Sequence, residues 1–168
     1  LYIAEGTAMA ATPPVNAKVF EFRSVFKTSM QNMIAFHEHP RALWRMTPPP
    51  IFVQQLKDER KSLTSGEIEF RLWLGPIPVR WLARHEPGPT ETSFADVMLR
   101  GPMAYWRHEH IFTEVSNGIE LTDRVTLAHK PSLSGMLTRL VFNGLALRGL
   151  FIYRHLRTRF GLGRSSRQ

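Results

Sequence analysis

The sequence predicts an α+β fold: a curved antiparallel sheet of about seven strands wrapped around a long C-terminal helix, with two short helices after the first strand. Three observations predict it. Apolar and polar residues alternate with strand periodicity in most of the segments between Val19 and Leu127. Turn signals recur every roughly 10 to 15 residues after Gly66, the spacing of an antiparallel meander. The segment after Pro131 is apolar nearly all round over the length of a long helix, and such a helix must be enclosed.

The elements follow in order. In VFEFRSVF, Phe20, Phe22, Ser24 and Phe26 share one face, against Glu21, Arg23, Val25 and Lys27. Thr28 or Ser29 caps a helix with Met30, Met33, Ile34 and His37 on its apolar side, and Pro40 ends it. Residues 41–46 form a second short helical turn, which the prolines from Pro48 to Pro50 stop. Residues 51–57 read as a strand. GEIEFRLWL then sets Ile68, Phe70, Leu72 and Leu74 on one face. After the Gly75-Pro76 turn, Val79, Trp81, Ala83 and His85 alternate with Arg80, Leu82 and Arg84. EPGPTE leads to the strand TSFADVML, and Gly101-Pro102 leads to AYWRHEHIFTEV. Asn117-Gly118 is a hairpin signal, and Ile119, Leu121, Asp123, Val125 and Leu127 alternate beyond it. Ser132 or Ser134 caps the last helix, expected to run to about Arg159. Its apolar residues include Met136, Leu137, Leu140, Val141, Leu145, Leu147, Leu150 and Phe151. A sheet curved around that helix is the economical way to bury them.

Composition narrows the function classes. A chain of 168 residues suits one domain with a real core. No apolar run approaches the roughly 18 residues of a membrane span. There is no cysteine, so disulfides, thiolate nucleophiles and cysteine-ligated zinc are excluded. Neither a Walker loop, GxGxxG, HExxH nor a serine nucleophile elbow is present. The net charge is +8, and the last acidic residue is Asp123, followed by Lys130 and seven arginines from Arg139 to Arg167. Cations at a helix C-terminus suit its dipole. The same residues can make weak contact with an anionic membrane, whereas nucleic acid is the less favoured partner. LYIAEGTAMAATPP lacks the charged start and long apolar run of a signal peptide. Residues 1–16 are thus expected as a flexible leader or expression remnant, 17–160 as the domain and 161–168 as a basic tail, in a cytoplasmic protein.

Several stretches carry a resemblance. They are Phe94 to Asp96 (FxD), GPMAYWRHEHIF at Gly101 to Phe112, LTDRVTLAHKP at Leu121 to Pro131, and FIYRHLRTRF at Phe151 to Phe160. Over about residues 17–160 the chain resembles the START-like, ligand-binding SRPBCC superfamily, which includes polyketide cyclase-like and coenzyme Q-binding members. It is similar to a bacterial branch of small single-domain members with a G-P-aromatic-x-x-W-x-H-x-H-x-F pattern, in which Met103 here replaces the aromatic. The resemblance implies the helix-grip fold and a ligand-binding cavity. It implies no particular substrate.

Strand parity places Trp106, His108, His110 and Phe112 on one face, with Arg107 and Glu109 on the natural outside. By the same parity Asp96 lies with Phe94 and Met98, and Asp123 with Leu121 and Val125. Asp96, His108, His110 and Asp123 therefore meet on the inner surface, where a charge without a partner would cost several kcal/mol. Three readings stand: a structural network that sets register, a polar anchor for an apolar ligand, or a metal or acid–base site. His-x-His needs a third ligand and an open position to hold a metal, and the sequence offers only candidates, so no metal or cofactor is assigned. In the binding reading, Phe70, Leu72, Trp81, Phe94, Met98, Trp106, Phe112, Leu140 and Gly144 line the space, with Asp96, His108 and His110 as polar anchors. The ligand would be a lipid, a quinone or a polyketide-like molecule. Binding ranks ahead of the alternative, a cyclase- or hydratase-type enzyme in which a His–Asp pair among His108, His110, Asp96 and Asp123 moves protons.

Overall fold

The computed structural model describes residues 12–165, so most of the expected leader and the last three residues lie outside the described residues. The element order is β1 (Lys18–Phe26), α1 (Met30–Glu38), α2 (Ala42–Arg45), β2 (Phe52–Asp58), β3 (Gly66–Leu74), β4 (Ile77–Pro87), β5 (Ser93–Arg100), β6 (Tyr105–Val115), β7 (Gly118–Ala128), α3 (Leu133–Val141) and α4 (Gly144–Ser165). The seven strands form one antiparallel sheet in the order β1-β7-β6-β5-β4-β3-β2. Strands β2 to β7 are a continuous meander. Because β1 and β2 are the two edges, α1 and α2 carry the chain from one side of the sheet to the other. Ser29 caps α1 by accepting the Asn32 N–H.

The first strand is tied to the last hairpin. Gly118 turns that hairpin at φ +138°, and a Cβ there would collide with the Phe26 carbonyl oxygen at the end of β1. On the far side of the sheet, α4 packs on α1 and β1. Gly161 permits this close approach, since any side chain at that position would strike the ring of Phe36.

Parity held across the sheet. Phe70, Trp81, Ala83, Trp106, Val125 and Leu127 are buried in one apolar cluster with Leu147 and Phe151 of α4. Phe26, Met33, Phe94, Phe112, Ile119 and Leu121 form a second cluster with Leu162. The opposite face carries an ion-pair ladder. It runs Arg23–Glu21 (2.8 Å), Glu21–Arg124 (2.6 Å), Arg124–Glu109 (3.4 Å), Glu109–Arg107 (3.0 Å), Arg107–Glu86 (3.0 Å) and Glu86–Arg84 (3.0 Å). The ladder crosses β5 over Ala95, which lies opposite both Glu86 and Glu109 and is 0% exposed.

The C-terminal segment differs from its expectation. The single helix from Ser132 to about Arg159 is two helices, with a bend of 49° between them. Ser132 caps α3, accepting the Gly135 N–H. Asn143 makes the break: its Oδ1 accepts the Ala146 N–H (2.9 Å), and its Nδ2 donates to the Leu140 carbonyl (2.8 Å). The helix that the sheet grips is therefore α4. It turns a stripe of Leu147, Phe151, His155, Thr158 and Leu162 inward and continues to Ser165, into the segment expected as a tail. The apolar residues of α3 are not enclosed: Leu133, Met136, Leu137 and Leu140 are exposed, as is Leu145 at the start of α4. Among the described residues no single helix is long and apolar enough to cross a membrane, although the bent pair Gly135–Val141 and Gly144–Gly163 reaches that threshold jointly by length and composition.

Candidate functional site

The strand registers bring the four residues singled out by parity into adjoining rows. Asp96 pairs with His108 between β5 and β6, and His110 pairs with Asp123 between β6 and β7. Their side chains touch. His108 Nε2–H donates to Asp123 Oδ1 at 2.7 Å. His110 Nε2–H donates to Asp96 Oδ2 at 3.2 Å. His108 Nδ1 lies 3.5 Å from the same Asp96 oxygen. His110 Nδ1 is 2.9 Å from Asp123 Oδ1, but out of line for a hydrogen bond, so this buried nitrogen has none.

Two further histidines join from the helices. His155 of α4 donates its Nε2–H to the other Asp123 oxygen at 2.7 Å, so one carboxylate accepts from both the sheet and the gripped helix. His37 of α1 donates Nδ1–H to the Met33 carbonyl (2.9 Å), and its ring lies edge-on to His110 at 5.5 Å between centroids. The sequence placed His37 on an apolar helix face but not at this cluster, and His155 was not singled out. The spacing Leu147, Phe151, His155, Thr158, Leu162 held the signal: a histidine inside a buried helical stripe needs a polar partner across the interface.

The network sits between the two apolar clusters. His108 meets the edge of Phe151 at 5.2 Å, and His110 stacks on Phe94 at 4.3 Å. The two sheet imidazoles are 3.9 Å apart. Burial by itself would raise the pKa of Asp123. The charge of His110 and hydrogen bonds from the surrounding imidazoles outweigh it and hold the carboxyl well below the usual range. Asp96 is likewise held low, the charges of His108 and His110 overcoming its desolvation. Burial pushes His110 down, but the two carboxylates prevail and raise it. His108 is lowered by burial and by the neighbouring His110 charge. The two adjacent imidazoles are thus shifted in opposite directions, His110 up and His108 down. Burial lowers His37 to about 3, so it is neutral.

Asp96 is the member that water reaches, with its side chain 25% exposed, while Asp123, His108 and His110 are sealed. Of the expected lining residues, Phe70, Trp81, Phe94, Trp106 and Phe112 are buried, and Leu72 and Met98 are half-buried on the inner face. Leu140 and Gly144 do not line the interior. Leu140 is 71% exposed on α3, and a Cβ on Gly144 would meet nothing within 4 Å, because the helix breaks between them. A cleft of about 270 Å³ lies elsewhere, bordered by Trp44 and Arg45 of α2, Ile51, Phe52 and Val53 at the start of β2, and Tyr153 and Arg157 of α4. None of the expected lining residues borders it.

No protein-family model matches the chain, and no curated protein matches it. Solved structures do. A nucleoside-diphosphate sugar epimerase from Corynebacterium glutamicum is similar at 27% identity and TM-score 0.64, over 88% of this chain but 30% of that longer one. The Zhui aromatase/cyclase from Streptomyces sp. R1128 is similar at TM-score 0.68 and 10% identity, over 89% of this chain and 95% of that one. A START superfamily protein from Mycobacterium smegmatis is similar at TM-score 0.61 and 9% identity, over 87% and 97%. Matched along nearly the whole of these last two structures, the seven-stranded antiparallel sheet and long C-terminal helix of this chain are a START-like, helix-grip fold.

Proposed function

We propose that the protein binds a small apolar molecule, such as a lipid, quinone or polyketide-like compound, between the sheet and α4, with Asp96 and His110 as its polar anchor. The observation that carries this reading is the position of Asp96. It is the solvent-reached end of an otherwise sealed polar network, on the same strand face as the half-buried Met98 and near two apolar clusters. A pocket that is mostly apolar with a few convergent polar groups suits ligands of this class. The likeness to a START superfamily protein supports the same class of function. Pockets for such ligands are about 300–1,000 Å³. Leu72, Met98, Phe142 and Leu150, partly buried against the first cluster, are the side chains whose displacement would enlarge the space. Native mass spectrometry followed by organic extraction tests this directly: a co-purifying apolar molecule supports it. A protein that stays empty after incubation with a panel of lipids, quinones and aromatic polyketides counts against it.

A second reading, a cyclase- or hydratase-type enzyme in the same space, is favoured by the 2.7 Å His108–Asp123 bond, the geometry of a base held by an orienting carboxylate. Ligand bound without turnover across a panel of carbonyl compounds would remove it.

The exposed face of α3 supports a further part of the proposal, contact with an anionic bilayer. Leu133, Met136, Leu137, Leu140 and Leu145 form an apolar band flanked by Arg139 and Arg148, in a segment without acidic residues. Apolar side chains beside cations are what an interfacial helix presents to anionic lipid. Co-sedimentation with phosphatidylserine vesicles, lost in Leu137→Glu and at high salt, is the expected result. Equal recovery of both proteins in the supernatant would sink it.

A further inference from the structure

We propose that Asp96, His108 and His110 bind one four-coordinate divalent cation of the zinc class. Three ligand atoms converge: one each from Asp96, His108 and His110 lie within 4.8 Å of one another. The contacts from His108 Nδ1 and His110 Nε2 to Asp96 Oδ2 are 3.5 and 3.2 Å. The first is too long for a charge-assisted hydrogen bond, which closes to about 2.7–2.9 Å. Both are close to the edge of a coordination tetrahedron: bonds of about 2.0–2.1 Å at the tetrahedral angle put neighbouring ligand atoms about 3.3–3.4 Å apart.

The tautomers fit as well. His108 uses its Nε2–H on Asp123, which leaves the Nδ1 lone pair facing Asp96. A ligating histidine characteristically donates its other N–H to a carboxylate, and Asp123 is that carboxylate. His110 is 5% exposed, and its Nδ1 lies 2.9 Å from the same Asp123 oxygen without a hydrogen bond. A small rotation of the ring would make that bond and aim Nε2 at the cation. Asp123 would then orient both ligating rings, while His155 holds its second oxygen in place. Ligation takes the place of the proton on His110 Nε2, and the ring keeps its other N–H, on Nδ1, for Asp123. Asp96 is the ligand that solvent reaches, so water would take the fourth position from its side. This inference does not rest on the apolar-ligand reading, because the cation needs no organic molecule to bind.

The test is titration of the chelator-treated full chain with Co²⁺, read by its visible absorption, with Zn²⁺ as competitor. The expected result is one equivalent bound with the d–d bands of four-coordinate cobalt, and displacement by Zn²⁺. Asp96→Asn should weaken binding more than about a hundredfold, beyond the range seen for loss of an outer partner, and Asp123→Asn should weaken it about 10- to 100-fold. His39→Gln, at the C-cap of α1 and not among the three ligands, should leave it unchanged. No cobalt bound at saturating concentration, or equal affinity in wild type and Asp96→Asn, overturns the proposal. Imidazole nitrogen resonances of the wild-type protein decide the matter without any variant. Zn²⁺ shifts confined to His108 and His110 support it, and shifts confined to His39 or His129 overturn it.

Discussion

Asp123 shows how a buried carboxylate on an apolar strand face is made tolerable. It accepts hydrogen bonds from two elements, at His108 and His155, and sits against the His110 charge. Removing it leaves two imidazoles, His108 and His155, without their acceptor. Asp123→Ala should therefore cost about 3–5 kcal/mol, the range for breaking a buried charge pair, measured by urea denaturation at pH 7. His37 makes the opposite kind of prediction. Its folded pKa of about 3 lies below the unfolded value near 6.5, so between those limits the unfolded chain takes up a proton that the native state refuses. Stability linked to His37 is fully present above about pH 6.5 and is lost as the pH falls towards 3, by about 1.4 kcal/mol per unit at most. His37→Phe should flatten that acid-side fall, as checked by urea midpoints at pH 7 and pH 4.5 in the presence of chelator.

The element that decides the shape of the helical layer is the junction at Asn143. Its side chain caps α4 and also bonds back to Leu140. Asn143→Ala should lower stability by about 1 kcal/mol, the usual value of a lost N-cap, seen as a lower Tm. The band exposed by the break behaves differently. Leu137 faces solvent, so Leu137→Ser should change stability by no more than about 0.5 kcal/mol, while the vesicle experiment reads whether that face has a partner. Two adjacent segments of similar composition thus separate into one whose apolar stripe is buried against the sheet and one whose leucines face solvent.

Across the whole molecule, the sheet is a divider with unlike faces. Its inner face holds two apolar clusters with the histidine–aspartate network between them, and its outer face holds a ladder of alternating charges. Each rung is partly solvated and contributes about 0–1 kcal/mol, so raising the salt concentration should change the unfolding free energy little. The ladder depends more on shape. Arg107 reaches Glu86 only by passing over Ala95 on the intervening strand. Ala95→Leu should push that pair apart and cost about 1–3 kcal/mol by overpacking, measured by chemical denaturation.

The sequence by itself determined the strands and their facing. A period of two cannot be satisfied by both registers when one face is buried, so Asp96, His108, His110 and Asp123 had to share the inner surface once the strands were adjacent. It also determined the Asn117-Gly118 hairpin and the end of the sheet at Pro131, because those are local steric demands. The break at Asn143 was legible as a capping residue followed by glycine, yet composition alone made 132–159 read as one helix. Only the tertiary structure decided which apolar residues were enclosed, since burial depends on what lies opposite. Leu147 and Phe151 meet the sheet, whereas Leu140 does not. It alone paired His155 with Asp123, 32 residues earlier: the helical stripe turns His155 inward, but no period in the sequence says which strand residue it meets.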